Sequence, residues 1–131
     1  MKISTEIPPI YQACHEKFGV NWSKGIIITY GDIAYCKYPL QPHKVVHEEV
    51  HVNQQEKMGK DWWWSQYLSD PKFRLKQEVE AYQAEGKWLK RNIKDRNLCY
   101  QAVRQIWNDL SSSIYGNICT VEEAMAYIPY S

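Results

Sequence analysis

From Pro8 to Phe18 the apolar positions Ile10, Cys14 and Phe18 recur every fourth residue, with Tyr11 beside them, and Gly19 follows; the spacing predicts a helix that stops at the glycine. The next stretch changes period. Gly25-Ile26-Ile27-Ile28-Thr29-Tyr30 is dense in β-branched residues, Gly31-Asp32 is a turn pair, and Ile33-Ala34-Tyr35-Cys36-Lys37-Tyr38 supplies a return strand, so a β-hairpin is expected. Pro39 and Pro42 end that strand and open a helix from about His43 to Met58, closed by Gly59. Lys60 to Ser69 has no clear period and reads as an irregular aromatic segment. Asp70-Pro71 offers a capping carboxylate and a first-turn proline, after which helical spacing continues to about Ile93. Leu98 to Leu110 places Val103, Ile106, Trp107 and Leu110 on one side of a further helix, and Thr120-Val121-Glu122-Glu123 has capping-box form ahead of a short helix reaching about Ile128. Four or five helices and one small sheet make a mainly helical α+β fold, with the sheet packed on the helix after Pro42 and the second long helix crossing it.

The helix after Pro42 contains His47-Glu48-Glu49-Val50-His51, an HExxH sequence. Positions four apart lie about 40° apart around a helix and about 6 Å along it, so both imidazoles can reach one metal ion. Glu48, rotated about 100° from His47, is poorly placed to ligate the same ion but can touch a water bound to it, the place of a general base. Glu49, Asn53, Glu56 and Lys60 form a polar stripe, while Val45, Val46, Val50 and Val52 flank the histidine face, which turns both imidazoles inward. The alternative is a pair of buried histidines satisfied by hydrogen bonds.

A catalytic zinc needs a third protein ligand and a position left for water. On the second long helix Glu78 stands in an apolar stripe with Leu75, Ala81, Tyr82, Trp88, Leu89 and Ile93, whereas Glu80 keeps the company of Lys76, Lys87 and Arg91, an exposed face. Glu85 shares the inner face with Glu78 and is the fallback ligand or a partner to one. A buried carboxylate is costly unless paired or metal-bound, and a salt bridge from Glu78 to an inward Arg74 is the competing account. His43, one turn before His47, is placed to assist.

The pair His47-Glu48-Glu49-Val50-His51 and Glu78-Val79-Glu80-Ala81-Tyr82 resembles the zincin metallopeptidases, in particular the gluzincin branch, and also the short HExxH proteins of bacteria and phages, with Gln54-Gln55 continuing the motif. The resemblance covers about His43 to Glu85. It implies a minimal zincin-like domain over residues 1–131, Zn2+ held by His47, His51 and Glu78, Glu48 as catalytic base, and hydrolysis of an amide bond in a peptide or protein. It implies further that the strand before the motif helix, Ile33 to Tyr38, is the edge that pairs with substrate, and that Tyr67, Tyr100 or Tyr115 stabilises the oxyanion. Where larger members often carry an Asp that orients a motif histidine, this chain has Tyr82, so that support must come from elsewhere.

Composition narrows the alternatives. A chain of 131 residues supports a single core. Sixteen Lys and Arg against fifteen Asp and Glu nearly cancel, so charge gives nucleic acid or an anionic membrane no purchase beyond the local run Lys87 to Lys94. No apolar run approaches the roughly 20 residues of a membrane span, and the first residues lack a signal-peptide pattern, so a cytoplasmic protein is expected. Cys14, Cys36, Cys99 and Cys119 form no CxxC pair and read as reduced, packed thiols, with two disulfides the alternative. Trp62-Trp63-Trp64 reads as core with one ring facing out. If instead the rings form an aromatic surface, the rival function is a non-catalytic, zinc-stapled module that binds another protein.

Overall fold

The computed structural model describes residues 1–131. Its elements run β1 (Lys2–Ser4), α1 (Tyr11–Phe18), β2 (Ile27–Tyr30), β3 (Ile33–Cys36), α2 (Pro42–Met58), α3 (Lys60–Ser69), α4 (Pro71–Asn92), α5 (Arg96–Leu110) and α6 (Val121–Tyr127), with short 3-10 turns at Trp22–Lys24 and Ser113–Tyr115. This is the expected mainly helical α+β architecture. No helix is long and apolar enough to cross a membrane.

The expected hairpin forms. Ile27 pairs with Cys36 and Tyr30 with Ile33, and Gly31, at φ 66°, takes the first central position of the two-residue loop, where a II′ turn reserves positive φ for glycine. The three residues of β1 were not foreseen: Lys2, Ile3 and Ser4 run parallel to Ile33, Ala34 and Tyr35. The sheet order is therefore β1-β3-β2, and β3 is paired along both sides. That corrects the expected peptide-binding edge at Ile33 to Tyr38, because a strand flanked on both sides has no free hydrogen-bonding groups to offer; on the side towards the helices the free edge is β2.

The helix boundaries follow local chemistry. Pro42 occupies the first turn of α2, the Asp70 carboxylate accepts from the Lys72 and Phe73 amides to start α4, Asp95 caps α5 through the Leu98 amide, and Thr120 with Glu123 completes a capping box on α6. Lys60–Ser69 is helical, where an irregular segment was expected. Gly59, at φ 87°, breaks the chain direction between α2 and α3, and Asp61 sits in the first turn of α3 where the helix dipole favours an acid. Three consecutive tryptophans cover about 200° of a helix, so no stripe betrays the period.

Two apolar clusters form, where the chain length leads one to expect a single core. Leu89, Val103, Ile106, Trp107, Leu110, Ala124 and Ile128 join α4, α5 and α6, while Cys14, Ile28, Trp63, Trp64 and Tyr67 join α1, β2 and α3. Trp63 and Trp64 are internal and Trp62 is 53% exposed, matching the expectation of core packing with one ring outside. All four cysteines are free thiols. α2 lies against α4 on the seam between the clusters, and its buried face is polar throughout: His47, Glu48, His51, Gln54 and Gln55.

Trp63 is 1% exposed and donates its indole N–H to Gln77, so Trp63→Ala should cost about 3–5 kcal/mol in urea unfolding. Trp62→Ala should cost about 1 kcal/mol or less, since Trp62 meets Phe73 only edge-on at the surface.

Candidate metal centre

Because α2 and α4 pack side by side, residues one turn apart on the first face a single residue on the second. His47 Nε2 lies 3.1 Å from Glu78 Oε1, His51 Nε2 lies 3.2 Å from the same oxygen, and the two Nε2 atoms are 3.2 Å apart. All three side chains are buried, and they form a group that could hold a metal ion.

The opposite edge of each imidazole fixes its tautomer. His47 Nδ1 donates to Glu85 Oε1 at 3.0 Å, and an ionised carboxylate can only accept. His51 Nδ1 is 2.8 Å from Gln54 Oε1; the Gln54 amide nitrogen donates to the Gln77 carbonyl and to Glu80, so its oxygen faces the ring and His51 Nδ1 must donate. Both Nε2 lone pairs therefore point at each other and at a carboxylate oxygen. Three acceptors in contact repel unless a proton or a metal cation sits among them.

The surrounding charge points the same way. Glu48, Glu78 and Glu85 are buried, at 6%, 2% and 1% exposure. Lys44 reaches Glu85 at 3.2 Å, but no lysine or arginine pairs with Glu48 or Glu78. Burial opposes charging His47, yet the Glu48 charge and the hydrogen bonds to Glu78 and Glu85 outweigh it and push its pKa up to about 10. Burial likewise works against ionised Glu78, but the His51 charge and the hydrogen bonds from both histidines hold it well below the usual carboxylate range. In the absence of a metal the pocket collects protons.

The other residues expected at the site divide. Glu48 is buried beside the histidines, with Oε1 accepting from the Thr29 hydroxyl at 3.0 Å and Oε2 3.9 Å from His47 Nε2. Glu85 is not among the three converging donors. It orients His47 and is itself held by His43 Nδ1 at 2.8 Å and by Lys44, supplying from seven residues beyond Glu78 the support absent at Tyr82. Tyr82 instead presents its ring to that of His47, with centroids 4.3 Å apart. Arg74 is buried but donates to the Tyr67 and Tyr115 carbonyls, so the salt bridge to Glu78 does not form. Glu80 is exposed, as expected, and accepts from Gln54 in place of pairing with a lysine.

Tyr67, expected only as an oxyanion donor, and three residues given no site role, Gln54, Gln55 and Thr29, complete the shell. Tyr67 donates to Glu78 Oε2 at 2.6 Å, and burial, reinforced by the Glu78 charge, keeps its hydroxyl protonated. Gln54 orients His51. Gln55 receives the Gly31 amide and donates to the Thr29 carbonyl, tying α2 to the hairpin whose Thr29 holds Glu48. The one available signal was spacing: Gln54 follows His51 by one turn on the same face.

The site opens into a cleft of about 370 Å³. Of the three tyrosines considered for the oxyanion, Tyr67 and Tyr115 line it and Tyr100 does not. Compared with protein families, with curated proteins and with solved structures, the chain shows no match to any. The zincin likeness rests on the His47, His51 and Glu78 arrangement.

Titration of metal-free protein should reveal a single divalent ion per chain, lost in His47→Ala and Glu78→Ala and bound about 10–100-fold more weakly in Glu85→Gln. Since His47 holds its proton up to about pH 10 without metal, uptake at pH 7 should expel at least one proton. Calorimetry in buffers of different ionisation enthalpy reads that release, and metal binding with no proton liberated would contradict the assigned charge state.

Proposed function

We propose that this chain is a small zinc-dependent hydrolase of the metallopeptidase type that cleaves an amide bond. The observation that carries the reading is the convergence of two tautomer-locked Nε2 atoms and one carboxylate oxygen beside a further buried acid, Glu48, that no lysine or arginine neutralises. Two imidazole nitrogens with one carboxylate oxygen suit zinc better than the hard cations that prefer all-oxygen shells. His47, His51 and Glu78 would hold the ion, which when bound lowers the pKa of water towards 7 and polarises a carbonyl.

The remaining work falls to the chain. Thr29 occupies Glu48 Oε1, which leaves Oε2, on the His47 side, to take the proton from the attacking water and return it to the leaving nitrogen. Glu85 and Gln54 keep the imidazoles from rotating, and packing against Tyr82 and Trp63 restricts them further. Tyr115, whose hydroxyl is 2.6 Å from that of Tyr82, lines the cleft without touching Glu78 and is the better placed oxyanion donor; Tyr67 already spends its proton on Glu78. The rival reading, a zinc-stapled binding module with an aromatic surface, loses two of its three rings, because Trp63 and Trp64 face inward.

Glu48→Gln should keep the metal and lower turnover of an amide substrate by at least about a thousandfold, read as initial rate beside metal content. A zinc-loaded Glu48→Gln protein that retains wild-type turnover would remove the hydrolase reading. Tyr115→Phe should lower kcat by roughly 10- to 1,000-fold with little change in metal content.

A further inference from the structure

β2 is the strand that borders the cleft, and its polar edge is largely closed. In a hairpin with a two-residue loop, Tyr30 and Ile28 exchange hydrogen bonds with β3, so the amides and carbonyls of Ile27 and Thr29 point away from it. The Thr29 carbonyl is already taken twice, by the Gln55 amide at 2.8 Å and by the Trp64 indole at 3.2 Å. On the other side of Ile27, the Gly25 amide is spent on the Trp22 carbonyl. Ile27 is the one residue of this edge with both its amide and its carbonyl left to pair with a ligand's main chain, since Thr29 keeps only its amide. An extended peptide adding to a sheet edge draws its affinity from a row of such bonds, and here the row is broken after Ile27, where Gln55 and Trp64 already hold the Thr29 carbonyl.

The cleft is also divided. Towards α1 and β2 its wall is apolar, built from Cys14, Phe18, Val20, Ile26 and Ile28, and burial pushes the Cys14 thiol up to about 12, so it lies there as an uncharged group. Towards α2 and α5 the wall carries Lys44, Glu48 and Asp109. A volume of about 370 Å³ stands near the lower end of the roughly 300–1,000 Å³ typical of small-molecule sites.

We infer that the ligand of this cleft is a short amide bearing one large apolar side chain, paired with the backbone at Ile27 alone, and not a polypeptide laid along the strand. The apolar side chain lies against Phe18, Val20 and Ile28, and the amide faces Glu48. This rests on the hydrolase reading and narrows its substrate class.

The test uses three probes: an acetylated Ala-Phe dipeptide amide, its Ala-Ser counterpart, and a peptide of about 12 residues with Ala-Phe at its centre, long enough to pass the whole strand at roughly 3.3 Å per residue. Binding is measured by calorimetry on metal-free wild type and on zinc-loaded Glu48→Gln, and cleavage on zinc-loaded wild type. The Ala-Phe dipeptide should bind roughly tenfold or more tightly than either of the others, and Val20→Trp, which fills the apolar end from a loop position, should abolish that preference while metal content stays unchanged. Equal or tighter binding of the long peptide, equal binding of the Ala-Ser probe, or no binding of any probe overturns the inference. If the dipeptide binds as expected and its amide is left intact by wild type, the hydrolase reading fails and the ligand assignment stands. If the long peptide is cleaved faster than the short one, the reverse holds.

Discussion

Two imidazole nitrogens and a carboxylate oxygen, held within 3.1–3.2 Å of one another, constitute an arrangement that electrostatics forbids unless positive charge is added. Much of the surrounding polar structure serves to maintain that arrangement. Glu85 and Gln54 hold the far nitrogens of His47 and His51, Tyr67 holds the far oxygen of Glu78, and each of these supports is anchored in turn by His43 and Lys44, by Gln77, or by the wall of aromatic rings. The acceptors cannot swing apart to relieve their repulsion, so the site is prepared for a cation before one arrives.

This preparation has a cost in the fold. The inward face of α2 holds no fully buried apolar side chain, so the helix contributes little hydrophobic stabilisation of its own. It is retained by neighbours: the α4–α5–α6 cluster on one side, and the α1–β2–α3 cluster on the other, with Gln55 and Thr29 bridging it to the hairpin. Two modest cores in place of a single large one are what allow a polar seam to run between them.

How much of this was legible in the sequence depended on whether the signal was local. The HExxH spacing puts His47 and His51 on one face, with Glu48 at its margin, because the helical period leaves no other outcome, and Glu78 stands out as an acid in an apolar stripe. Caps at Asp70 and Thr120 and the Gly31 turn were likewise local and were read correctly. What escaped depended on distant partners. β1 is three residues whose strand character comes only from pairing with β3, and that pairing moved the free edge from β3 to β2. α3 has aromatic residues on too wide an arc to show a face. Thr29 sits 19 residues before Glu48, and Glu85 was weighed as a ligand because nothing in the spacing separates a residue that binds an ion from one that orients its ligand.

The bond from Tyr67 to Glu78 Oε2 reaches beyond orientation. With that oxygen engaged, bidentate binding of an ion by Glu78 would have to share it with the Tyr67 hydroxyl. Calcium, which collects about 6 to 8 oxygens at 2.3–2.6 Å and often two from one carboxylate, would be poorly served by a group in which two of the three converging atoms are imidazole nitrogens. A phenol that would touch no ion at all would thus bias the site against the coordination mode calcium often uses.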